Sequence, residues 1–129
     1  MNITKAHDLC AKLPGATRDL KWPSTDGVHA VFSVGSKMFA MFTLKSDKLI
    51  DELVFKADDA RFLELTDRPG FSPAPYFARA KWVKVEGLQQ LSDTEAKLLL
   101  TEAHHAVMAR LPKKVQQAIL TPPKHAERR

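Results

Sequence analysis

The run Tyr76-Phe-Ala-Arg-Ala-Lys-Trp-Val-Lys84 holds three cations, three aromatic rings and no acid. Lysine and arginine contact phosphates, and aromatic rings stack on bases, so this composition suits nucleic-acid binding. Arg79, Lys81 and Lys84 are its candidate phosphate contacts. Lys37, Lys45 and Lys48, in predicted turns, could join them, as could Arg18 and Lys21 near the first strand. A structural reading competes. Tyr76 and Phe77 would then seal a sheet edge, Trp82 would be buried, and the lysines would form a solvated rim that discourages edge pairing. Trp22 reads in the same way, as a packing anchor rather than a ligand platform.

Other reactive residues point to no catalytic centre. Cys10 falls on the apolar stripe of a predicted helix, where a thiol acts as a small hydrophobe. His7, His29, His104, His105 and His125 are scattered over different elements. His104 and His105 are helix neighbours about 100° apart, so they do not readily share a metal ion. Asp51 and Glu52 are strand neighbours and point to opposite faces, which rules them out as a paired acid and base. Asp58-Asp59 reads as a helix cap, since one acidic pair offers too few ligands for a hard cation. The chain has no glycine-rich phosphate loop, no histidine pair at helical ligand spacing and no G-x-S-x-G elbow. The reading is therefore non-catalytic, with no metal and no cofactor.

The elements that would position the basic run are legible from periodicity. An amphipathic helix is predicted from Ile3 to Leu13, ended by Pro14-Gly15. A short strand over Thr17 to Trp22 follows. Three antiparallel strands come next, at Val28–Val34, Lys37–Leu44 and Ile50–Phe55, the first two joined by Gly35-Ser36. Strict alternation sets Met38, Ala40, Phe42 and Leu44 against Phe39, Met41 and Thr43, so the middle strand is apolar on both faces and central. A helix over Ala60 to Asp67 buries Phe62, Leu65 and Leu63. Three prolines and one glycine between Arg68 and Pro75 predict an irregular, rigid connection. A strand from Ala80 to Glu86 puts Trp82, Lys84 and Glu86 on one face and Lys81, Val83 and Val85 on the other. Ser92-Asp-Thr-Glu95 is a capping box that opens a helix to about Arg110. Its inner face is Ala96, Leu99 or Leu100, Ala103, Val107 and Leu111. Pro112 starts a last helix, Lys113 to Leu120.

These elements define an α+β fold, an antiparallel meander packed against N- and C-terminal helices. Residues 1–120 form one expected domain, and 121–129 a basic tail that frays. The 129 residues carry a net charge of +5. Met1 to Ala109 holds fourteen cations and fourteen acids, so the whole excess lies from Arg110 onward. No apolar run reaches the ~20 residues of a membrane span. The start of the chain lacks the pattern of a secretory signal. A lone cysteine forms no intrachain disulfide, which favours a reducing cytoplasm.

The ordered motifs resemble those of the MmcQ/YjbR family of small bacterial proteins. They are Leu13-Pro-Gly15, Val34-Gly-Ser-Lys-Met-Phe-Ala40, Leu53-Val-Phe-Lys-Ala-Asp58, Pro73-Ala-Pro-Tyr-Phe-Ala-Arg-Ala-Lys-Trp-Val83 and the final amphipathic helix. The resemblance implies an antiparallel α+β fold of double-wing, frataxin-like topology, and a role in DNA binding. Many members carry an Asn-Lys-Lys-His-like run before the tryptophan, where this chain has Ala78-Arg-Ala-Lys81. The first helix holds only one acid, Asp8, so the topology brings no acidic ridge for iron. The expected partner is DNA. The alternative is a protein-interaction or self-association domain, with a protein partner or a second copy as its ligand.

Overall fold

The computed structural model describes residues 1–75 and 80–121. Helix α1 spans Ile3–Ala11, and strands β1 to β4 follow at Ala16–Ser24, Gly27–Val34, Lys37–Lys45 and Lys48–Lys56. Helix α2 (Asp59–Thr66), β5 (Phe71–Pro73) and β6 (Trp82–Glu86) come next. A 3-10 turn (Leu88–Gln90) leads into α3 (Asp93–Met108) and α4 (Lys113–Leu120). The strands form one sheet in the order β1-β2-β3-β4-β6-β5, and each pairing is antiparallel. The fold is α+β, with the meander built of four consecutive strands.

Alternation decides which side of the sheet the helices cover. Phe32, Phe42, Leu53, Phe55, Val83 and Val85 point to one face and are buried against α1 and α3. Ala6 and Cys10 meet them from α1, and Ala96, Leu99, Leu100, Ala103 and Val107 from α3. Each fully buried phenylalanine contributes about 1.5–3 kcal/mol. The opposite face carries a smaller cluster of Val31, Met41, Ala74 and Trp82.

Strict alternation fails at one place in β3. The register slips between Phe32 and Ser33, which puts an extra residue, Phe39, opposite the β2 strand. Across this bulge Phe39 joins the helix side and Met38 joins Met41 on the other. The expected grouping of those two side chains is thereby reversed.

Three other expectations are corrected. Leu63 is 69% exposed on the outer side of α2, while Leu65 is buried. The Arg68–Pro75 connection holds a regular element after all, since β5 pairs with β6 over Phe71–Pro73. Its proline is tolerated because β5 is an edge strand. Trp22 lies outside the buried core. It is 49% exposed and sits at φ 57° where the β1–β2 register shifts.

Local chemistry fixes the element ends. Asn2, Asp58 and Ser92 accept from the amides of Lys5, Arg61 and Glu95 at the starts of α1, α2 and α3. His104, buried in α3, bonds through Nε2 to the Pro14 carbonyl at 2.7 Å and pins the end of the first helix, whereas His105 is exposed. Arg68 donates to both oxygens of Glu95, at 2.7 and 3.0 Å, and Arg61 grips Glu102 in the same forked way. Gly35 and Ser36 both have positive φ, 55° and 66°, which makes the β2–β3 connection a type I′ turn.

Two predictions follow from these contacts. A Cβ at Gly35 would lie 2.5 Å from Leu111 Cδ1. Gly35→Ala is expected to lower stability by about 1–2 kcal/mol, and Ser36→Gly to raise it by about 0.5–1 kcal/mol, in urea denaturation. The hydrogen bonds from Arg68 hold the Glu95 carboxyl below its ordinary range. A carboxylate lowered in the fold stabilises above the ordinary carboxylate range, and that stability is lost as pH falls through it. Glu95→Gln should therefore cost about 0.5–1 kcal/mol at neutral pH, after solvent screening, and progressively less as the pH falls toward ~3. An equal loss at both pH values would contradict the ion pair's role.

Candidate nucleic-acid interface

β3 separates the candidate cations by its length. Lys37 starts the strand and Lys45 ends it, about 25 Å apart at ~3.3 Å per residue. Lys45 sits beside the tight turn Ser46-Asp47, near Asp26 and Gly27, at the far end of the sheet. Lys48 shares that end. Lys84 lies mid-sheet on the face away from the helices, 3.5 Å from Glu52 and 3.3 Å from Glu86. Burial pulls its pKa down, but the two carboxylates outweigh burial and raise it. Its charge is thus locally spent. Arg18 and Lys21 lie on the β1 edge, where Arg18 Nε donates to His7 Nε2 at 2.9 Å. Arg79 and Tyr76 fall outside the described residues. Trp82 is buried in the small cluster on the face opposite the helices.

Lys81 behaves differently. It precedes β6 at φ 63°, its carbonyl accepts from Ala57 N, and its ammonium lies 5.1 Å from the Phe62 ring centre. It thereby lines a cleft of about 600 Å³ together with Lys56, Arg110, Asp58 and Asp59. Lys56 ends β4 opposite Trp82, and its Nζ donates to the Ala80 carbonyl at 2.8 Å. Burial, then the charge of Arg110, lower the Lys56 pKa, while Asp59 opposes them. The repulsion between Lys56 and Arg110 is opposed by Asp59. An anion entering the cleft would relieve it.

The same end of the molecule gathers further cations. Ala40 pairs with Phe55, so Lys37 and Lys56 lie toward the same end of their strands. Leu111 packs on Gly35 in the turn before Lys37, which brings the end of α3 there too. Lys113 and Lys114 open α4 just beyond. Among the described residues, the cleft itself is lined by the three cations Lys56, Lys81 and Arg110 and by two acids, of which Asp58 is committed to capping α2. The C-terminal charge excess in the sequence therefore begins beside body cations that the even balance of residues 1–109 had hidden.

Lys56 and Arg110 were not visible as site residues in the sequence. Lys56 ends β4 and Arg110 follows the end of α3 by two residues, fifty-four positions away, and only the fold brings them to one cleft. The one local signal was the lysine immediately before Ala57-Asp-Asp59. Cys10 is fully buried and its thiol is pushed up far above the ordinary range by burial, so it is no nucleophile. Among the described residues no three His, Cys, Asp or Glu side chains gather as metal ligands. No helix among them is long and apolar enough to cross a membrane.

A one-sided antiparallel sheet with a basic end defines a small α+β protein whose charged cleft lies outside the core. The sequence profile described as YjbR matches residues 11–106, and the chain belongs to the YjbR family. Among solved structures, it is similar to the Deinococcus radiodurans protein DR2400, assigned to the domain DUF419. That likeness has a TM-score of 0.75 at 22% identity and covers 94% of this chain and 89% of that one. It is also similar to a Pseudomonas syringae protein, with a TM-score of 0.64 at 22% identity, over 83% of this chain and all but 1% of that one, whose coverage is 99%. At that identity the likeness speaks to the fold. No curated protein is similar enough in sequence to count as a match.

The cleft's electrostatics make a prediction of their own. Lys56 is held below the ordinary lysine range in the fold. Arg110→Gln removes the second cause of that depression, so the Lys56 ammonium should titrate at higher pH in the variant, read by side-chain NMR. No movement would mean that the two side chains do not share the cleft in solution.

Proposed function

We propose that the protein binds DNA through its phosphate backbone, at the cleft end of the sheet. The convergence of Lys56, Lys81 and Arg110 in one cleft carries this reading. Lys37, Lys113 and Lys114 extend it outward as further phosphate contacts. Contacts of this kind set affinity and orientation but read no bases. Binding should therefore be sensitive to salt and tolerant of sequence. The reading also separates two lysines that share a strand region. Lys81 contributes, whereas Lys84, engaged by Glu52 and Glu86, does not.

Fluorescence polarisation with a short duplex at low salt tests it. Each phosphate contact adds about 0.9 to the slope of log affinity against log salt. Lys56→Gln with Arg110→Gln should flatten the slope by about 2 and weaken binding at least tenfold. Lys81→Glu should weaken it comparably, and Lys84→Glu should leave it within about twofold. An absence of binding at micromolar protein, or a larger loss for Lys84→Glu than for Lys81→Glu, would overturn the proposal.

A further inference from the structure

One apolar row crosses all six strands on the helix side of the sheet. Register sets Leu20 beside Ala30, Ala30 beside Phe42, Phe42 beside Leu53, Leu53 beside Val85, and Val85 beside Phe71. Five of the six are buried, Phe71 among them although it lies on the β5 edge. Leu20, at the other end of the row, is 56% exposed. It sits on β1, the opposite edge of the sheet, which is nine residues long against three in β5. Among the described residues β1 pairs only with β2, so its outward backbone groups are a template for a further strand.

Charges usually guard such an edge, and β1 carries Arg18, Asp19 and Lys21 there. Their order does more than repel. Two copies related by a two-fold axis pair antiparallel, with one residue set opposite itself. An axis at Arg18, Asp19 or Lys21 puts like charges face to face, which destabilises the pair. An axis at Leu20 instead sets Leu20 against itself and each Asp19 against the partner's Lys21. The same axis carries the apolar row on into the second copy. The exposed end of the row and the order of the charges therefore select one register independently. Asp19 and Lys21 share the face away from the helices, beside Val31 and His29. Among the described residues neither makes a salt bridge within the chain, and the Lys21 ammonium lies 6.0 Å from the Trp22 ring centre.

We propose that β1 is a homodimer interface, where two copies join edge to edge across Leu20 and their six-stranded sheets become continuous. The register shift after Lys21, and Pro23 with no amide hydrogen, stop the pairing. The paired stretch is short, so the dimer is weak, with a dissociation constant of roughly tens of micromolar. The interface uses no residue that lines the basic cleft, so it stands or falls independently of DNA binding.

Sedimentation velocity of the full chain, from ~1 to ~500 µM, tests the interface, and a monomer–dimer equilibrium is expected. Leu20→Lys and Asp19→Lys should each weaken the dimer at least tenfold. Adding Lys21→Asp to Asp19→Lys should restore it to within about threefold. Leu20 is exposed, so its variant should keep the circular dichroism and thermal midpoint of the parent. Disulfide trapping reads the register. Leu20→Cys should give a covalent dimer on oxidation, since its two Cα atoms fall within the ~7 Å that a disulfide spans. Thr17→Cys should not, because its copies lie about 20 Å apart at ~3.3 Å per residue. Cys10 is buried and takes no part. A strict monomer at ~500 µM, a dimer indifferent to Leu20→Lys, or equal trapping through Thr17→Cys would overturn the proposal.

Discussion

Burial of one face of an antiparallel sheet is the constraint on which the rest of this structure depends. Period-two alternation sends Phe32, Phe42, Phe55, Val83 and Val85 toward α1 and α3. On the other face it leaves a smaller cluster of Val31, Met41, Ala74 and Trp82, with polar side chains around it and at the strand ends. Both candidate sites lie outside the buried face. The basic cleft is at the end where β4 stops, β6 starts and α3 finishes. The proposed dimer interface is on the β1 edge. Neither interrupts the aromatic core, so each is free to vary in chemistry while the core is kept.

Charge is segregated along the strands as firmly as hydrophobicity is across them. The hairpin at Lys45 and Lys48 places its cations beside Asp26 and Asp47. Mid-sheet, Lys84 is bracketed by Glu52 and Glu86. Arg61 and Arg68 are consumed by Glu102 and Glu95, which fasten α2 and the loop after it to α3. Among the described residues, Lys56, Lys81 and Arg110 gather around the cleft, and Lys5, Lys12 and Lys97 line a separate groove between α1 and α3. The overall charge is thus a poor guide to the surface. The pairing of particular cations decides where positive potential survives.

Much of the fold was legible because its signals are local. The capping residues, the alternating strands, the Gly35-Ser36 turn and the inner face of α3 all follow from spacing and residue type. The errors arose where a longer-range arrangement prevailed. β5 is three residues long and contains Pro73, so nothing but its pairing with β6 makes it a strand. The Phe39 bulge and the left-handed Trp22 depend on register with β2, which alternation alone does not encode. The site was less legible still. The basic run near Lys81 was visible as composition, yet its fellow cations Lys56 and Arg110 come from other elements. Alternation did separate Lys84 from Lys81, but the acids that bracket Lys84 come partly from β4 and were not visible beside it.

We propose that one end of the sheet, and not its length or its opposite hairpin, meets a polyanion. Amide chemical-shift mapping during titration with a short DNA duplex addresses this directly. Shifts should concentrate at Lys37, Lys56 to Asp59, Lys81 and Arg110 to Lys114, with the Lys45–Lys48 turn undisturbed. Shifts centred on that turn, or spread evenly over every exposed lysine, would contradict it.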